Sequence, residues 1–344
     1  MQKNAMTVIE WDKEWRSSLS CVSPLLSICI PTYYQPKEVE RVLDTLVEQY
    51  TSNIEIIIHD GCNNDTTLSV IEKYVDKLPI LYVRKNNRHI DAALFELIEL
   101  AKGEYIWWFG DDDFCEGALV EVTKIVGLGE YAFIFANPIM AGTDTLHCSI
   151  IDRSREFKTR EEVIESIEIG LGFLSSCVFK RQDALRGIES SKSQIGSSFA
   201  NLHLMLFIIA NAHKSYFIRG PIVKCYAVTD EELKIIKVGK DGVIKNEAFF
   251  IFGVNACDIF ESFSGQYDPV VIRKIVKKFF KRTWRGVLVA TAGGWDTPHG
   301  KRFILLKRFW MFPESWLAFL FFLMPARVLR PLYGFYKFLY NHKK

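Results

Sequence analysis

The sequence predicts an α/β fold, a mostly parallel sheet flanked by helices, followed by a C-terminal helical region of different character. Three observations carry that expectation. Short apolar runs alternate with segments of helical periodicity through the first two thirds of the 344 residues. Each early run ends in a polar or acidic cluster, the last in three consecutive aspartates, Asp111, Asp112 and Asp113. The final third loses the alternation and becomes basic and aromatic.

In chain order, LLSICIP (Leu25–Pro31) reads as a strand running into Thr32, Tyr33 and Tyr34. A helix follows around Lys37–Tyr50, where Val39, Val42, Leu43 and Leu46 fall at helical spacing. Ile54–Asp60 is the second strand and enters the turn-rich GCNNDTT; Thr67–Leu78 is the next helix. Ile80–Arg84 is a third strand, and Asp91–Ala101 a helix closed by Lys102 and Gly103. Then comes YIWWFGDDDF (Tyr105–Phe114), an apolar aromatic strand with an acidic end. Beyond it, helices are expected at Ala118–Val126, Glu161–Gly170 and Leu202–Asn211, and strands at Tyr131–Asn137, Phe173–Arg181 and Ser215–Ala227. In open sheets of this kind the ligand lies beyond the carboxyl ends of the strands, so Tyr33, Asp60 and the aspartates should converge.

The expected organisation is an N-terminal extension (1–24), an α/β domain (25–245) and a basic, aromatic helical region (246–344). The eight cysteines are scattered with no CxxC pair, which argues against a zinc site or a disulfide framework and favours a reducing compartment. MQKNAMTVIEWDKEW has no apolar core of a secretory signal. The net charge of +2 hides a polarity. Val270–Lys344 holds 16 of the 43 Lys+Arg and 2 of the 41 acids (+14), leaving 27 against 39 before it (−12). A tail so charged suits an anionic surface. Its style is set by KKFFKRTW (Lys277–Trp284) and repeated in Arg302–Trp310. SWLAFLFFLMPA (Ser315–Ala326) is only 12 residues between Glu314 and Arg327, and Pro313, Pro325 and Pro331 should interrupt it. A spanning helix needs about 20 residues. Helices lying in the membrane interface fit that composition better than a packed bundle with a solvated basic face.

Three adjacent carboxylates repel one another. A hard divalent ion, Mg²⁺ or Mn²⁺, would relieve that repulsion, especially one also holding phosphates; the alternative is a solvated acidic turn.

With these strand ends assembled, Leu25–Leu119 resembles the inverting family 2 glycosyltransferases of the GT-A (Rossmann-like) fold, of the bacterial surface-polysaccharide type. Three stretches in order carry the resemblance: SICIPTYYQ, HDGCNNDT, and AKGEYI leading to the aspartates. The resemblance implies that Pro31, Thr32 and Tyr33 line a base pocket, with Tyr33 stacking on the base. It implies that Asp60 accepts a hydrogen bond from the base, favouring a UDP or dTDP donor. Asp111 would contact ribose; Asp113, with Asp112 beside it, would bind a divalent metal on the diphosphate. His59 stands where the family usually has a first acid. Arg84, Arg88, His89 and Asp91 would lie in a loop approaching the donor, with Asp91 near the sugar or capping its helix. Inversion needs a general base. The family's Glu-Asp pair is missing, and His203 stands at about the right distance, with Asp144 and Asp152 as alternatives and Ser175 and Ser176 as candidate acceptor-cleft residues.

The reading is a metal-dependent nucleotide-sugar glycosyltransferase, cytoplasmic and peripheral on the inner face of the cell membrane, acting on a lipid-linked saccharide acceptor. The rival readings are a nucleotidyltransferase, which should carry a Gly-rich basic loop where this chain has PTYYQPKEV, and a non-catalytic nucleic-acid- or membrane-binding protein. Nucleic acid is not the expected partner.

Overall fold

In the computed structural model the described residues are 13–17, 19, 21, 23–85, 89–142, 146–226, 254–278, 307 and 310–341. Arg88, Asp144, most of KKFFKRTW and most of Arg302–Trp310 lie outside them.

Residues up to Ala227 form one unit, organised on a mixed ten-stranded sheet. Its strands are β1 (Lys13–Arg16), β2 (Leu26–Thr32), β3 (Ile54–Asp60), β4 (Ile80–Arg84), β5 (Tyr105–Trp108), β6 (Asp113–Phe114), β7 (Phe133–Met140), β8 (Arg155–Glu156), β9 (Cys177–Lys180) and β10 (Ser215–Cys225). Their order is β1-β4-β3-β2-β5-β9-β7-β10-β6, with β8 also on β10. The four strands β4-β3-β2-β5 are mutually parallel. They are buried almost throughout, as strands covered on both faces must be. Beyond β5 the sheet is mixed: β9 runs antiparallel to β5 and β7, while β7 and β10 are parallel.

The helices are α1 (Pro36–Gln49), α2 (Thr66–Ile71), α3 (Ile90–Leu100), α4 (Ala118–Val126), α5 (Arg160–Ile167), α6 (Arg181–Lys192) and α7 (Ala200–Asn211). Helix α1 buries Val39, Val42, Leu43 and Leu46, the stripe its spacing predicts. The turn that returns α3 to the sheet requires a glycine. A Cβ on Gly103 would lie 2.7 Å from the Ser27 backbone nitrogen. Glu55 closes that turn by accepting from the Lys102 and Gly103 amides at 2.6 and 3.1 Å.

Several sequence expectations need correction. Lys13–Arg16, assigned to an N-terminal extension, is an edge strand antiparallel to β4. The apolar run and the aspartates are not one strand: β5 stops at Trp108, and Asp113–Phe114 pairs separately with β10. The expected strand at Phe173–Arg181 begins as a 3₁₀ turn, Leu174–Ser176, in which Trp107 Nε1 donates to the Ser175 carbonyl at 2.8 Å. Helix α6 was not foreseen. It follows β9 directly, with no Gly or Pro to announce it.

Residues 228–344 cluster as a second unit. Its described helices include Ala256–Ser262, Pro313–Leu323 and Ala326–Asn341. Pro313 sits in a first helical turn, where its missing N–H costs nothing. Pro331, expected to break the chain's helicity, lies inside Ala326–Asn341. Among the described residues no helix is long and apolar enough to cross a membrane.

Candidate functional site

The carboxyl ends of β2 and β3 meet directly. Thr32 and Asp60 are register partners, and the Gly61 amide donates to the Thr32 carbonyl at 3.0 Å. A Cβ on Gly61 would lie 3.1 Å from the Tyr33 ring, so a glycine there gives that ring its seat. Tyr33 is 47% exposed, presenting an aromatic face at the strand ends. Tyr34 next to it holds a left-handed backbone, φ 56°, and meets Tyr33 edge-on at 4.6 Å. Pro31 and Thr32 are buried. Thr32 Oγ1 has no hydrogen-bond partner among the described residues.

Asp60 is fully buried and held at both oxygens. Oδ1 accepts from the Cys62 amide at 2.8 Å, a local Asx-type turn, and Oδ2 accepts from the Tyr82 hydroxyl at 2.9 Å. That hydroxyl accepts in turn from Arg84 Nε at 3.0 Å, and Arg84 Nη2 donates to Asp65 at 2.6 Å. Arg84 therefore does not sit in a phosphate-facing loop. It is the last residue of β4, 3% exposed, and it braces Tyr82. His59 points to the opposite side of the strand, as alternation requires, and pairs with Glu96 at 2.9 Å.

The three aspartates have different surroundings. Asp111 is exposed and accepts from Gln35 Nε2 at 3.1 Å, which ties it to the end of β2. Asp112 is 6% exposed and takes a 2.5 Å hydrogen bond from the Ser175 hydroxyl. Burial pushes its carboxyl up to about 6; the Ser175 bond opposes the rise, and the neighbouring Asp111 and Asp113 charges add to it. Ser175 also accepts from the Gly110 amide at 3.0 Å. Ser175 and Ser176 are fully buried, so they are not cleft-lining residues; Ser175 fixes the aspartate loop instead. Asp113 receives Arg41 Nε at Oδ1 and the Tyr226 hydroxyl at Oδ2.

Asp91 is in the first turn of α3 and is 1% exposed. Rather than capping its own helix, it accepts from the Gly196 and Ser198 amides at 2.8 and 3.1 Å. Burial raises its carboxyl against the pull of those backbone donors. It thereby pins a loop whose Gly196 and Ser198 both have positive φ and which leads into α7. His203 lies on α7, 9% exposed, with Nδ1 2.9 Å from the Ser191 hydroxyl of α6. Burial lowers its pKa, which keeps the ring neutral near pH 7. Asp152 is exposed.

Among the described residues no three His, Cys, Asp or Glu side chains form a metal-holding group. Asp113 Oδ1 and the Asp111 carbonyl both converge on one positive group, the Arg41 guanidinium, with Nη2 donating to that carbonyl at 2.5 Å. Hard oxygen donors around a cation suit Mg²⁺ or Mn²⁺ in kind. Arg41, Tyr82 and Tyr226 were invisible to sequence reasoning. Arg41 sits on the polar side of α1, and no spacing connects it with residue 113.

Residues 27–184 match the family model "Glycosyl transferase family 2". The abequosyltransferase RfbV of Salmonella typhimurium is 26% identical over 233 residues, 60% of this chain and 68% of that protein. A chondroitin synthase of Escherichia coli is 30% identical over 100 residues, which are 29% of this chain and 15% of that protein. This chain thus spans about two thirds of the first relative and a small part of the second. Among solved structures, S. aureus TarS 1–349 in complex with UDP superposes with a TM-score of 0.59 at 14% identity, covering 81% of this chain and 78% of that one. The mannosyltransferase PcManGT of Pyrobaculum calidifontis, in complex with GDP-Man and Mn²⁺, gives 0.50 at 13% identity, covering 91% and 88%. These superpositions establish a shared GT-A-like fold.

Proposed function

For a chain that belongs to glycosyl transferase family 2, and is a glycosyltransferase of polysaccharide synthesis, we propose an inverting transfer from a nucleotide-diphosphate sugar to a hydroxyl of a lipid-linked saccharide. The observation that carries the reading is the meeting of Tyr33, Asp60 and the aspartate loop at one edge of the sheet, bridged by the Gly61–Tyr33 approach and the Gln35–Asp111 bond.

In this reading Tyr33 stacks on the base. Asp60, oriented by Tyr82 and its own turn, keeps acceptor capacity for a ring N–H, which favours uracil or thymine. The unpartnered Thr32 hydroxyl is satisfied by the bound nucleoside. Asp111 meets the ribose. Asp113, with Asp112 behind it, holds Mg²⁺ or Mn²⁺, which when bound neutralises charge building on the leaving nucleoside diphosphate. His203, kept neutral by burial, is the proposed acceptor of the hydroxyl proton. Asp91 fixes the loop that delivers α7.

The C-terminal unit exposes Trp310, Met311, Trp316, Leu320, Leu323 and Phe335, and the same stretch of sequence exposes Lys307, Arg327 and Arg330. That combination supports docking on an anionic bilayer at the inner face of the cell membrane, where a lipid-linked acceptor resides.

Calorimetric titration with UDP, dTDP and GDP, with and without Mn²⁺, tests the donor site. The expected result is preference for UDP or dTDP, at least tenfold weaker nucleotide binding in Asp60→Asn, and loss of the Mn²⁺ effect in Asp113→Ala. Unchanged nucleotide binding in Asp60→Asn would overturn the base-pocket assignment.

A further inference from the structure

The Arg41 side chain is anchored twice on the aspartate loop and once on Tyr226. Nε donates to Asp113 Oδ1, and Nη2 donates to the Asp111 carbonyl at 2.5 Å. Its guanidinium carbon lies 4.5 Å from the centre of the Tyr226 ring, a cation–π contact. The Tyr226 hydroxyl occupies the remaining Asp113 oxygen. Lys224, the register partner of Asp113, lies 5.7 Å from the same ring. A cation arriving at Asp113 therefore meets a site already filled by the protein's own positive charge.

We propose that Arg41 is an exchangeable placeholder: when a divalent cation takes Asp113, the freed guanidinium transfers to the diphosphate of the donor. The proposal rests on the reading that Asp113 carries the metal. Two physical arguments favour exchange over a fixed strut. The Arg41 end of the pair is open to solvent, with a side-chain exposure of 39% against 13% for Asp113, so the guanidinium has a way out to water or to another anion. The fork of an arginine also suits phosphate oxygens as well as it suits a carboxylate. A diphosphate thus offers the displaced side chain a partner of equal geometry and greater charge.

The consequence is a coupling between cation and nucleotide. Without nucleotide, the metal must displace Arg41 into water; with diphosphate present, Arg41 keeps an anionic partner. Each ligand then tightens the other by the same factor, as linkage demands.

Mn²⁺ binding, read from the paramagnetic resonance signal of the free ion, is measured with and without UDP for the wild type, Arg41→Gln and Tyr226→Phe, with folding checked by thermal melting. In the wild type UDP should tighten Mn²⁺ about tenfold. Arg41→Gln should bind Mn²⁺ alone more tightly than the wild type, and UDP should then add about threefold or less. Tyr226→Phe, which frees one Asp113 oxygen and leaves Arg41 in place, should tighten Mn²⁺ alone while keeping the UDP effect. If Mn²⁺ binds and Arg41→Gln retains the full UDP effect, the exchange is wrong and the metal site stands. If no protein binds Mn²⁺ with or without UDP, the metal assignment falls and takes the exchange with it.

Discussion

The Tyr82 hydroxyl donates to Asp60 Oδ2 at 2.9 Å while accepting from Arg84 Nε at 3.0 Å, so one phenol orients the carboxylate assigned to base recognition. All three side chains are buried. Tyr82→Phe should leave Asp60 and Arg84 each short of a partner and cost about 1–3 kcal/mol. The measurements are denaturant unfolding and UDP titration. Weaker nucleotide binding alongside the stability loss is the expected result; unchanged stability would show that the network is not coupled.

His203 gives a pH prediction. Burial sets its folded pKa below the unfolded value of about 6.5. The unfolded chain therefore binds more protons in that window, and this residue's share of stability is present above pH 6.5 and lost as pH falls below it. Wild-type unfolding followed from pH 7.5 to 5 should show that loss, and His203→Gln should reduce it. If His203 is also the base, the same variant lowers transfer by about 10²–10⁴-fold. Full transfer with the altered pH profile would leave it a helix-packing residue.

Removal of Trp310–Lys344 should abolish retention on liposomes containing anionic lipid while nucleotide binding persists. Retention in the wild type should weaken with added salt, since the Lys and Arg contribution is screened. Liposome binding that survives the deletion would place the membrane contact elsewhere.

Much of the fold was legible because local pattern and burial agree. Helix α1 shows its apolar stripe, β2 and β3 are continuous apolar runs, and Gly103 marks a close backbone approach. The parallel order set the ends of β2 and β3 side by side, with Thr32 opposite Asp60, while the aspartates reach that end through a loop and the Gln35–Asp111 bond. What stayed hidden depends on contacts distant in sequence. Ser175 looked like a strand residue facing a cleft, yet its hydroxyl reaches Asp112, 63 positions away. Arg41 and Asp113 are 72 positions apart and come from a helix face and a two-residue strand. No periodicity encodes such a pair. The aspartates were legible as a group but not as individuals, because burial of Asp112 and pairing of Asp113 come from α1, β10 and the 3₁₀ turn.

Strand β6 carries a timing consequence. Asp113 gains its strand partner only when β10 lies beside it, and Tyr226, which holds one of its oxygens, is 113 residues further along the chain. A nascent chain that has emerged only to residue 184, where the family match ends, already holds every recognisable motif. It still lacks the strand against which the acidic loop is built. Contacts of such long sequence separation form late, because closing the intervening chain precedes any gain from the pairing. The paired ends of β2 and β3 that carry Thr32 and Asp60 are thus made early, whereas the pairing of β6 needs the chain through the end of β10.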